Sequence, residues 1–248
     1  MDAYIIEEGD KMFNEKNKSA VDFKSWIKPS IIPVLYYNLF LGIFIIMPVF
    51  IMIIAKIHLD LRQSTVVGLI GTLVAEITMY MLLIKWIHKR GKTLSDLGWR
   101  TNTNATAIFL GITFSVGYVI WTFTNPLISQ NAMEISFFKV FGIFVGAIGA
   151  IVEEMVFRGF VLTELLEAKV STTIQIFISG LAFALIHIGF NITGIIITFI
   201  MGMALAVIYI VGRRSLTPVI ISHVIINILI EPWLLLFIIG MYSKLFHA

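Results

Sequence analysis

Long apolar runs alternate with short polar breaks along most of the chain, the first beginning near Ile31. A transmembrane helix needs about 20 mostly apolar residues. On that criterion the runs predict spans over 31–55, 66–88, 106–125, 138–161, 173–190, 193–211, 216–230 and 232–247. The last three are short and closely spaced, which suits helices inside a bundle. Turn and breaker residues mark the joins: Gly91, Gly98, Asn125-Pro126, Gly189, Gly194, Gly212 and Glu231-Pro232. There is no internal repeat and no low-complexity tract. The predicted fold class is all-α, a polytopic membrane helix bundle of about eight transmembrane helices. Its expected parts are a cytosolic or interfacial segment (1–30), helices 1–3 with their loops (31–137), a core of helices 4–7 (138–230), and a last helix with the C-terminus (231–248).

Composition agrees with the pattern. Of 248 residues, 58% are hydrophobic and 13% charged, against about 25% charged in a soluble domain. Mean hydropathy is +0.95. The chain has no cysteine, which excludes disulfides, thiolate catalysis and thiolate-held metals. A net charge of +3, spread along the chain, gives no basic face for nucleic acid; the partner that composition implies is the lipid bilayer. The first 30 residues carry Glu7, Glu8, Asp10, Glu15 and Asp22 and do not read as a cleavable signal, and Trp26 suits headgroup level. Across eight spans, only Lys56, Arg62 and Lys139 of the 18 Lys and Arg fall on the side opposite the N-terminus. By the positive-inside rule both termini are expected in the cytosol, in a multi-pass protein of the cell membrane.

An ionisable residue in a span costs several kcal/mol at most depths and usually faces the bundle interior with a partner. Three constellations stand out: Glu153-Glu154 with Arg158 in span 4, Phe183 with His187 in span 5, and His223 with Asn227 in span 7. The spacing of four puts Glu154 with Arg158, Phe183 with His187, and His223 with Asn227 on common helix faces. Glu153 is turned about 100° from Glu154, toward a different neighbour. Phe183 could wall off or orient the His187 ring. Taken singly, Glu154 with Arg158 reads as a structural salt bridge and His187 as a helix–helix hydrogen-bonding residue. His223 with Asn227 reads equally as packing or function. Together they supply what hydrolysis needs: a base toward water and donors for an oxyanion. The same acid and imidazoles, Glu153, His187 and His223, could instead hold a metal that acidifies water. Glu76 stands alone in span 2 and is expected to pair with another helix or to border a cavity. Gly142, Gly146 and Gly149 form a small-residue face for close packing. His58, His88 and His247 fall at span ends or in loops, and the sequons at Asn104 and Asn191 are three-residue matches only.

EEMVFRG, FALIH and GRRSLTPVIISHVIIN, in this order over about 138–230, closely resemble the CPBP family of intramembrane endopeptidases. That family comprises CAAX prenyl proteases and the bacteriocin-processing or self-immunity (Abi) proteins. Its pattern is E-E-x-x-x-R, F-x-x-x-H and H-x-x-x-N on successive helices, and this chain departs from none of the three. The resemblance implies that Glu153 activates the attacking water with His187 helping to position it. It likewise implies that His223 and Asn227 form the oxyanion hole, and that Glu154 and Arg158 support the site. It leaves the cofactor open: zinc or another divalent ion on Glu153, His187 and His223, or a metal-free glutamate mechanism. There is no HExxH, no rhomboid-like G-x-S-G and no presenilin-like aspartate pair.

The expected function is therefore peptide-bond hydrolysis in the membrane, on a peptide or membrane-protein substrate, in peptide maturation or regulation, at a polar cavity open to the cytosol or sideways to lipid. The alternatives are a non-catalytic scaffold or bacteriocin self-immunity protein that keeps the motifs, and a proton-coupled transporter, which the lack of inverted repeats disfavours. At 1.5 Å per residue, Glu153 is expected roughly 12 Å from the near end of span 4 and His223 about 10 Å into span 7. The same arithmetic puts His187 nearer 20 Å along span 5. These depths do not match.

Overall fold

The computed structural model describes residues 23–56, 61–100, 103–124, 137–188 and 192–229, and within them every regular element is helical. Helix α1 runs Phe23–Leu41, widens into a π-helical turn at Gly42–Ile46 and continues as Met47–Ile54. Then come α2 (Leu61–Lys89) and α3 (Ala105–Phe123). Helix α4 is Phe137–Glu154, a second π-helical turn at Met155–Val161, and Leu162–Glu167. The last three are α5 (Thr172–Leu185), α6 (Ile192–Val211) and α7 (Leu216–Leu229).

Five of these are long and apolar enough to cross a bilayer: α1, α2, α3, α4 and α6. The other two, α5 and α7, have 14 residues each. At 1.5 Å per residue that is about 21 Å, short of the roughly 30 Å hydrocarbon core. Large apolar side chains such as Leu35, Ile46, Met81, Phe109 and Ile120 face outward, whereas Glu76, Glu153, Glu154, Arg158, His223 and Asn227 are buried. Polar inside and apolar outside is the arrangement that lipid selects. The chain is an integral membrane protein.

Each of the first seven expected spans overlies a helix, with two shifts that matter. Helix α4 continues to Glu167, past the expected end at 161, and α5 stops at Leu185, before the expected end at 190. The last span (232–247), the acidic lead-in (1–22), His58, His247, Asn125-Pro126, Gly189, Asn191 and Glu231-Pro232 lie outside the described residues, as does the Trp26 side chain. The Asn104 sequon serves as a helix cap: Asn104 Oδ1 accepts from the Thr106 N–H at 3.0 Å, at the start of α3.

Helix α4 occupies the centre, packed between α2 and α7, while α5 pairs with α6 and α7 with α3. The α5–α6 crossing is close because glycines meet there. A Cβ on Gly202 would stand 2.9 Å from the Gly180 Cα. At one end of the bundle the loop after α2 seals the turn between α6 and α7. Tyr209 donates its hydroxyl to the Leu97 carbonyl at 3.0 Å, and the Leu216 N–H donates to the Gly98 carbonyl at 2.9 Å. Gly98 makes this possible, with φ +94 and a missing Cβ that would lie 2.1 Å from the Arg214 carbonyl oxygen. Gly98→Ala is expected to combine that clash with a strained φ, at a cost of about 1–3 kcal/mol or more. A fall in the thermal unfolding midpoint of the detergent-purified protein relative to wild type checks this.

Candidate active site

The buried end of α4 carries the first two residues of the cluster. Burial of an arginine in a membrane helix demands partners for its charge, and Arg158 finds them at its two terminal nitrogens while Nε makes no hydrogen bond. Arg158 Nη1 donates to Glu154 Oε1 at 2.7 Å, and both side chains are fully buried. Nη2 donates to the Gly202 carbonyl of α6 at 3.0 Å, reaching backbone that the α5–α6 glycines bring close. The guanidinium carbon lies 4.5 Å from the Phe183 ring centroid, over its face. The π-helical turn that holds Arg158 is buried throughout. Side chains from other elements meet the carbonyls at this wide turn: Ser179 Oγ donates to the Phe157 carbonyl at 3.1 Å and Arg214 Nη1 to the Leu162 carbonyl at 3.2 Å. Wide turns of this kind recur at functional sites.

Glu154 Oε1 has a second donor. His223 Nδ1 stands 2.8 Å from it. Because that oxygen already accepts from arginine, it is a carboxylate oxygen, and His223 Nδ1 must carry the proton. The other ring nitrogen, Nε2, is then turned toward Glu153, 3.8 Å from Oε2, too far for a direct hydrogen bond. Phe183 is the hub between the rings. Its centroid is 4.9 Å from that of His187, 5.6 Å from that of His223 and 5.8 Å from that of Phe157.

His187 does not sit on α5 as the spacing suggests. The helix ends at Leu185 and its last turn tightens, with the His187 N–H donating to the Ala184 carbonyl at 3.0 Å. The ring nevertheless folds back over Phe183, because Nδ1 donates to the Phe183 carbonyl at 2.9 Å. That bond places the proton on Nδ1 and leaves Nε2 as the basic nitrogen. Asn227, one turn beyond His223, donates from Nδ2 to the Gly146 carbonyl at 3.0 Å, tying α7 to the glycine face of α4. An amide nitrogen carries a second hydrogen.

The depths now agree. Glu153 is 14 residues from the end of α4 at Glu167 and His187 is 15 beyond the start of α5 at Thr172. At 1.5 Å per residue these are about 21 and 22 Å. The expectation failed because the apolar count ended span 4 at 161, whereas Leu162–Glu167 continues the helix. Leu216, where α7 begins, packs near Gly159, 3.5 Å from where its Cβ would be. His223 and Glu153 are thus each about 10 Å beyond a common level.

Sequence reasoning missed the support that α1 gives. Asn38 Nδ2 donates to the Leu185 carbonyl at 3.2 Å, at the end of α5 just before the His187 turn. A carboxamide inside an apolar span was the available signal. Glu76, expected to pair with another helix, accepts from the Tyr37 hydroxyl at 3.0 Å. Between α2 and α4 an apolar cleft of about 200 Å³ is lined by Ile77, Tyr80, Ile148, Ile151 and Val152. The metal expectation fits poorly: among the described residues no three His, Cys, Asp or Glu side chains are grouped to hold an ion, Glu153, His187 and His223 included.

Residues 134–229, which hold all seven of these motif residues, match the family model described as type II CAAX prenyl endopeptidase Rce1-like. This segment is similar to the CAAX-protease family. No curated protein and no solved structure matches the chain. The CAAX-protease segment spans α4 to α7, so α1 to α3 lie outside it. Its buried ion pair sets a clear expectation. Arg158→Leu strands the Glu154 carboxylate and should destabilise by about 3–5 kcal/mol. The Glu154→Leu/Arg158→Leu double variant should recover part of that loss in the same thermal unfolding assay.

Proposed function

We propose that the protein is an intramembrane endopeptidase of the CAAX-protease type, with both termini cytosolic across eight spans. The observation that carries the reading is that the His187 and His223 rings both pack on Phe183 while His223 Nε2 is turned toward Glu153, 3.8 Å from its Oε2. Glu153 takes the proton of the attacking water. His187 Nε2, the basic nitrogen of its ring, accepts the water's other hydrogen and aims its lone pair at the scissile carbonyl. Addition converts that carbonyl to a tetrahedral oxyanion, which His223 Nε2 and the second Asn227 N–H receive. Since His223 Nδ1–H is committed to Glu154, donation from Nε2 requires a ring protonated on both nitrogens, with Glu154 as its counter-ion. Collapse breaks the C–N bond, and the proton held by Glu153 passes to the leaving amine. Arg158 holds Glu154 in place throughout.

The test is cleavage of a fluorescence-quenched, farnesylated CAAX-type peptide by the protein in liposomes, alongside peptides released from cell membranes. Glu153→Gln, His187→Ala and His223→Ala should each lower the rate by about 10²-fold or more, with insertion and thermal stability retained. Undiminished turnover by Glu153→Gln would end the assignment.

A further inference from the structure

Among the buried polar pairs that the mechanism leaves unused, one joins α1 to α2. Tyr37 of α1 is fully buried and donates its hydroxyl at 3.0 Å to Glu76 of α2, itself 3% exposed. Neither helix is in the CAAX-protease segment. A carboxyl group this deep is costly, and an apolar pair of similar volume would hold two helices together as well or better. The pair touches α4 at two points. Glu76 Oε1 lies 3.6 Å from where a Gly149 Cβ would be, and the Tyr37 ring stacks on Phe157 with centroids 5.7 Å apart and planes at 25°. Gly149, Glu153 and Phe157 follow one another at intervals of four along α4, and so share a face. Glu153 stands between the two points of contact.

We propose that Tyr37 and Glu76 are positioning residues for Glu153, an inference that rests on the endopeptidase reading above. Their hydrogen bond clamps α1 and α2 against the one stretch of α4 that presents the base. The clamp also reaches the imidazoles, because Phe157 meets Phe183 edge-on at 87° and Phe183 carries both histidine rings. Asn38, next to Tyr37, holds the end of α5 from the same helix. Loosening the Tyr37–Glu76 bond therefore lets the base drift relative to the two rings. Misplacements of about 1 Å by remote substitutions can cost on the order of 10²-fold in rate.

The experiment uses the full chain in liposomes with the farnesylated peptide probe, and its variants are Tyr37→Phe, Glu76→Ala and Glu76→Gln. Tyr37→Phe keeps the ring stack and removes only the hydroxyl; Glu76→Gln keeps an acceptor for it. Tyr37→Phe and Glu76→Ala should lower kcat about 10- to 100-fold, with KM within about twofold and a near-wild-type thermal midpoint. Glu76→Gln should recover most of the rate, and Tyr37→Phe/Glu76→Ala should be no worse than either single variant. Wild-type kcat in Tyr37→Phe, or losses that merely follow the thermal midpoint, overturn the proposal. A second readout needs no turnover: the rate at which dicyclohexylcarbodiimide labels Glu153, read by peptide mapping. A change in that rate in Tyr37→Phe, reversed in Glu76→Gln for the acceptor lost in Glu76→Ala, supports positioning; an unchanged rate in all three overturns it. If the wild type leaves the probe uncut while the labelling rates shift, the endopeptidase reading fails and the positioning of Glu153 stands.

Discussion

A guanidinium and a carboxylate, each with no exposed surface, sit 2.7 Å apart in the middle of a helix bundle built for lipid. In such surroundings neither charge can be left without a partner, and the rest of the site follows from finding enough of them. Glu154 serves Arg158 and His223 through one oxygen. Arg158 reaches across to the Gly202 carbonyl, which is available only because α5 and α6 touch at glycines. His223 is consequently held in one ring orientation, Nδ1 on Glu154, with its second nitrogen turned toward Glu153. A single electrostatic requirement thus fixes one helix crossing, one ring orientation and the facing of the base.

Helix length does the complementary work. Because α5 and α7 are only 14 residues long, each falls short of a full hydrocarbon thickness. Irregular backbone there is tolerated where protein encloses it. The tightened turn at His187 meets that condition through its own ring, bonded to the Phe183 carbonyl, and through Asn38 on the Leu185 carbonyl. Short helices, costly elsewhere in a membrane, are here the means of bringing an imidazole to the level of a glutamate.

Much of this was legible in the sequence. Seven apolar runs overlie seven helices, because lipid imposes a length and a hydropathy that survive in single residues. The acid–arginine pair was legible from spacing four, since both members lie on one helix face. The position of His187 was not: the periodicity of LAFALIHIGF continues past Leu185, where the helix ends and Asn38 and the His187 ring meet its last carbonyls. Nor could spacing show that the Asn227 amide is shared with the Gly146 carbonyl, or that α1 supplies Tyr37 and Asn38. Those are contacts between residues far apart in the chain, and hydropathy carries no record of which helix neighbours which. The C-terminal extension of α4 was hidden for another reason. Leu162–Glu167 contains two glutamates, and an apolar count reads them as the end of a span although the backbone continues.

The wide turn at Met155–Val161 has a consequence for how this chain can vary. A π-helical turn holds one residue more than the α-helix can accommodate, so it behaves as an insertion that the fold has absorbed. Losing one residue between 155 and 161 would let the helix revert to regular winding while the halves on either side keep their phase, so Glu153 and Glu154 would stay turned toward their present neighbours. A residue lost from the regular turns of α4 would instead rotate one half against the other by about 100°. The wide turn is thus the place along α4 where residue count can change at least cost.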